Sequence, residues 1–126
     1  MSMLTPLKRV RGLGSARGGT DHFWHQRLTA AALVVLVTLF LLMLIGLNGA
    51  TYDETRAALS NPFAGLLLLS MIGAGLWHAK LGMQVIIEDY VHGETAKLAL
   101  LALNSFFTIA VAIASAVAVL KLAFTG

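Results

Sequence analysis

The sequence predicts an all-α integral membrane protein with three transmembrane helices. Three observations carry this reading. The 126 residues are 58% hydrophobic and only 12% charged, which is more apolar surface than a soluble domain of this length can hide. Three apolar runs, at about residues 27–47, 63–87 and 98–124, reach the roughly 20 residues that a helix needs to cross a bilayer. The runs are rich in Leu, Ala, Ile and Val without alternation. That composition argues against barrel strands, and an open strand would leave backbone groups unpaired in lipid.

A chain this short forms a single membrane domain over residues 1–126, with a basic tail over 1–20. Cysteine is absent, which excludes disulfides, thiolate metal sites and cysteine nucleophiles. The formal net charge of +3 is uneven. Lys8, Arg9, Arg11 and Arg17 precede the first apolar run, and Arg27 stands at its edge. Beside apolar runs such a tail marks the cytoplasmic side of a membrane rather than nucleic-acid binding.

The first run is longer than the 7–15 residues typical of a signal-peptide core, so it reads as an uncleaved span. Next comes "NGATYDETRAALSNP", with turn formers at both ends. Its single basic residue is Arg56, beside Asp53 and Glu54. Ser60-Asn61-Pro62 reads as the start of the second span, with proline in the first turn. "EDYVHGETAK" separates the second and third spans, with Gly93 as a breaker and Lys97 at its end. The count of Lys and Arg predicts a cytoplasmic N-terminus, which puts the 88–97 loop in the cytoplasm and the C-terminus outside.

Ionisable groups within a span are costly and need a reason. On a helical wheel, Met71, Gly75, His78, Gly82 and Asp89 share one stripe within about 60°, while Lys80 points to the opposite side. Glycines around a histidine let a neighbouring helix approach closely. They also clear room for a flat macrocycle whose iron is held by the imidazole. Spacing alone leaves both readings open, together with a proton relay or an interhelical hydrogen bond. Lys80 reads as a cation that snorkels to the headgroups at the end of its helix. Glu88, Asp89 and Tyr90 mark either an interfacial helix end or a polar site at the membrane edge. In the latter, a tyrosine hydroxyl donates a hydrogen bond and a carboxylate orients the donor or relays protons. Asn104, Ser105 and Thr108 in the third span read as interhelical hydrogen bonders.

"HAKLGMQVIIEDYV" resembles the second-helix motif of the small cytochrome b subunit of succinate dehydrogenase, the D-type membrane anchor of respiratory complex II. His78, Gly82, Met83, Asp89 and Tyr90 meet its spacing. "GLGSARGGTDHFWHQRLTAAAL" is similar to the family's entry into the first helix, at Phe23, Trp24, Gln26, Arg27, Thr29 and Ala30. The resemblance covers nearly the whole chain.

The resemblance implies a non-catalytic subunit of a succinate:ubiquinone oxidoreductase in the bacterial inner membrane. It would be half of an anchor bundle that shares haem b with a second, C-type anchor. His78 would be an axial ligand to the iron, the partner anchor would supply the other, and Arg27 would meet a haem propionate. Tyr90 and Asp89 would form part of the ubiquinone site. Flavin and iron–sulfur chemistry would belong to two peripheral subunits, a flavoprotein and an iron–sulfur protein. This fits a sequence with neither cysteines nor a dinucleotide fingerprint. The resemblance gives His22 and His25 no firm role, and Lys80 departs from the pattern. The nearest rival reading is the anchor of a fumarate reductase. A small transporter or channel subunit is more distant, since no internal repeat is present.

Overall fold

The computed structural model describes residues 16–125, with side chains from residue 19 onward. Lys8, Arg9 and Arg11, and with them most of the basic tail, lie outside the described residues. Among the described residues four helices follow one another: α1 (Ala16–Gly46), α2 (Tyr52–Leu59), α3 (Pro62–Tyr90) and α4 (Glu94–Thr125). No strand occurs among the described residues. Helices α1 (from Gly19), α3 and α4 are long and apolar enough to cross a membrane. Helix α3 lies in the middle and packs against α1 on one side and α4 on the other.

The helices outrun the apolar spans at nearly every end. Helix α3 has 29 residues, which is about 44 Å against a hydrocarbon core of about 30 Å. Polar end residues such as Glu88, Asp89 and Tyr90 therefore remain helical while standing at the interface. Residues 16–20, read as tail, are already helical.

Local chemistry sets the helix boundaries. Asn61 caps α3: its Oδ1 accepts from the Phe63 N–H at 2.9 Å, and Pro62 occupies the first turn, where a missing N–H costs nothing. Gly49 turns the chain out of α1 with φ +82°, a conformation that favours glycine. Glu94 opens α4, and the Lys97 N–H donates to the Gly93 carbonyl at 2.8 Å.

Helix α2 lies in the stretch read as a loop. It starts on a capping box at Thr51 and Glu54. The Thr51 N–H donates to Glu54 Oε2 at 2.8 Å, and the Thr51 hydroxyl donates to the same oxygen at 2.9 Å. The Thr51 backbone bond, then its hydroxyl, hold the Glu54 carboxyl below the usual carboxylate range. Arg56 Nη2 donates to the Thr125 carbonyl at 3.5 Å, tying α2 to the end of α4.

Ala64, Leu81, Ile87 and Val119 are the only buried hydrophobic residues among those described. Val34, Ile45, Phe63, Phe106, Phe107 and Phe124 all face outward. Such a surface suits lipid or another apolar helix rather than water.

Candidate functional site

His78 sits in α3 about 18 Å from Tyr90 and about 24 Å from Pro62 along the axis, at membrane depth. Its imidazole is half-buried against α1. Nδ1 lies 3.0 Å from Thr29 Oγ1. The Thr29 hydroxyl also reaches its own helix, at 2.7 Å from the His25 carbonyl and 3.1 Å from that of Gln26. Nε2 of His78 makes no hydrogen bond among the described residues.

Helices α1 and α3 run antiparallel, and three more contacts fix their register. The His25 and Trp77 rings meet edge to face, centroids 6.1 Å apart. A Cβ on Gly82 would fall 3.6 Å from Gln26 Nε2, and one on Gly75 would fall 3.8 Å from Leu33 Cδ2. Both glycines of the His78 stripe therefore face α1. Of the two readings of that stripe, close helix approach describes Gly75 and Gly82. A macrocycle held by His78 would have to lie to the outer side of the seam.

On α1, His22, Gln26 and Thr29 share one stripe within about 60°. Nε2 of His22 and Oε1 of Gln26 are buried without a hydrogen-bond partner among the described residues. Arg27 is about 160° round the helix from Thr29. It is exposed, with its guanidinium 5.2 Å from the centre of the Phe23 ring. The structure does not bring Arg27 together with His78. Asp89 and Tyr90 stand exposed at the end of α3, with Tyr90 77% exposed. Beside Tyr90, an open cleft of about 500 Å³ between α3 and α4 is lined by Met83, Ile86, Ile87, Leu103 and Phe107.

Lys80 does not snorkel toward Tyr90. Its Nζ lies 5.0 Å from the centre of the Trp77 ring, one turn toward the start of α3. Helical side chains lean toward the N-terminus of their helix, and the indole face attracts the cation. Asn104 Nδ2 donates to the Lys80 carbonyl at 3.1 Å and joins α4 to α3. Thr108 bonds back to the Asn104 carbonyl of its own helix. Ser105 lines a smaller cleft with Lys80 and Trp77.

Among the described residues no group of three or more His, Asp or Glu could hold a metal ion. The donor set at His78 is one imidazole, which fits an iron already held by four porphyrin nitrogens and needing axial ligands only.

The model of the succinate dehydrogenase/fumarate reductase transmembrane subunit family matches residues 1–119. The chain belongs to that family. The succinate dehydrogenase hydrophobic membrane anchor subunit of Paracoccus denitrificans is 35% identical over 101 residues, covering 80% of this chain and 78% of that protein. The subunit of the same name from Rickettsia bellii is 32% identical over 111 residues, 88% of this chain and 89% of that one. The succinate dehydrogenase membrane anchor subunit of Reclinomonas americana is 32% identical over 87 residues, 65% of this chain and 71% of that one. No solved structure matches. The chain is thus a multi-pass membrane-anchor subunit of the succinate dehydrogenase type, one component of a larger complex. The transporter reading falls with this finding.

Thr29 is the residue that reading the sequence missed. It stands in the stretch "QRLTA" that carries the family resemblance, but only the antiparallel register shows that it faces His78.

Proposed function

We propose that the chain co-ligates haem b through His78 and forms part of the ubiquinone reduction site of a succinate:ubiquinone oxidoreductase. The observation that carries this is the state of His78. In an anchor of this family, at membrane depth, its Nδ1 is engaged by Thr29 while its Nε2 makes no hydrogen bond among the described residues. A second anchor would bring the other axial ligand. The relatives' names, all of succinate dehydrogenase subunits, favour succinate as the electron source. A flavoprotein and an iron–sulfur subunit would oxidise it on the cytoplasmic side of a bacterial inner membrane, where the N-terminus lies.

When bound, haem b supplies a one-electron carrier within the membrane. This chain's residues do the rest. His78 holds the iron. Arg27 stands about 160° round α1 from Thr29, so it would meet a propionate only at an edge that reaches past α1, where a guanidinium pairs well with a carboxylate. The Tyr90 hydroxyl donates a hydrogen bond to a quinone carbonyl. Asp89, the preceding residue, orients that donor or passes protons from the cytoplasm. The apolar cleft beside Tyr90 opens toward lipid, from which a quinone arrives.

Tyr90→Phe tests the quinone role because it removes the hydroxyl and keeps the ring. Assembly, haem and succinate-dependent dye reduction stay normal, while succinate:ubiquinone activity falls severalfold or more. Wild-type quinone kinetics in this variant would remove Tyr90 from the site.

A further inference from the structure

We propose that Thr29 is a positioning residue for the haem ligand: its hydroxyl fixes the tautomer of His78 and leaves Nε2 as the nitrogen with the free lone pair. This rests on the haem reading above.

A hydroxyl has one proton to donate and two lone pairs to accept with. Thr29 makes its shortest contact, 2.7 Å, with the His25 carbonyl, and the second carbonyl within reach, that of Gln26, lies at 3.1 Å. A carbonyl can only accept, so the Thr29 proton points along its own helix. Its oxygen then faces His78 Nδ1 at 3.0 Å as an acceptor. Nδ1 must carry the proton for that contact to be a hydrogen bond. A neutral imidazole has one N–H, so Nε2 is left with the lone pair a metal ion needs.

The same bond has an electronic consequence. An acceptor at Nδ1 draws on the N–H and makes the ring a stronger donor at Nε2, which favours the oxidised metal. The helix carbonyl behind the hydroxyl strengthens the acceptor, since donating and accepting reinforce each other along a chain. Gln26 lies one turn nearer the start of α1, against Gly82, and does not take this place. His22, a further turn along, is about 10 Å from Thr29 along the axis.

The test compares Thr29→Val, Thr29→Ser and His78→Ala in the purified complex. Valine keeps the shape of threonine and removes the hydroxyl, and serine restores it. The readouts are haem per complex, the haem midpoint potential and the low-spin signature in the oxidised spectrum. Thr29→Val lowers haem content at least twofold or moves the potential upward, with an altered low-spin signature. Thr29→Ser stays close to wild type in all three. The inference is overturned if Thr29→Val matches wild type while His78→Ala loses the haem, or if valine and serine shift the readouts equally. Wild-type haem in His78→Ala would instead overturn the ligand assignment itself.

Discussion

The α1–α3 seam is polar at membrane depth, whereas the α3–α4 seam is built almost entirely from apolar side chains. Between α1 and α3 stand Thr29 and His78, His25 against Trp77, and the buried polar atoms of His22 and Gln26. Between α3 and α4, one side-chain hydrogen bond among the described residues, from Asn104 to the Lys80 carbonyl, crosses the contact, and Gly65 approaches Ala123. Lipid is as apolar as leucine, so neither pair of helices is pressed together by water. Close packing and a few hydrogen bonds must hold both. The difference is that Asn104 and Thr108 at the α4 contact find backbone carbonyls as partners within the chain. At the α1 side, His78 Nε2, His22 Nε2 and Gln26 Oε1 make no hydrogen bond among the described residues. On the proposed reading the α1–α3 seam serves the haem, while the α3–α4 contact serves the quinone only through the apolar cleft beside Tyr90.

The largest effect on this contrast is expected from Gly82. A methyl at Gly82 would meet Gln26 at ordinary contact distance, so Gly82→Ala is tolerated, with normal haem. A leucine there has no such room and pushes α1 from α3, at about 1–3 kcal/mol for overpacking. Gly82→Leu therefore lowers haem content along with yield of the assembled complex, read from the reduced spectrum per milligram of complex. If alanine and leucine behave alike, Gly82 does not govern the seam.

A smaller effect is expected on the other side. Asn104→Leu removes the bond to the Lys80 carbonyl, and interhelical hydrogen bonds in membranes are worth about 0.6 kcal/mol on average. The variant melts slightly earlier and keeps its haem spectrum and potential. A shifted potential would show that α4 also reaches the haem and would erase the contrast between the seams.

Much of this was legible in the sequence. Apolar runs revealed three of the four helices, because a bilayer demands length and hydrophobicity that few other environments do. Asn61-Pro62 and Gly93 marked the boundaries that the structure adopts. Helix α2 was hidden by its shortness: it has eight residues, too few for an apolar period to stand out, although Thr51 and Glu54 stand at the spacing of a capping box. At the site, the wheel placed His78, Gly75 and Gly82 on one face but could not say what that face meets. The meeting with α1 depends on antiparallel register, which a single sequence does not display. For the same reason Thr29 was a motif residue without a role. Lys80 leans toward the start of its helix and Trp77, a direction set by the backward lean of helical side chains that distance to the helix end does not give.

The central claim is that His78 gives its Nε2 to haem iron while α1 holds the other side of the ring. The most direct test is the dithionite-reduced visible spectrum of the complex purified with His78→Ala, referred to the amount of assembled complex. The b-type bands disappear or shrink strongly, and any remaining haem shows shifted bands, since the partner's ligand can keep it with water in the sixth place. Haem content and band positions equal to wild type would contradict the claim.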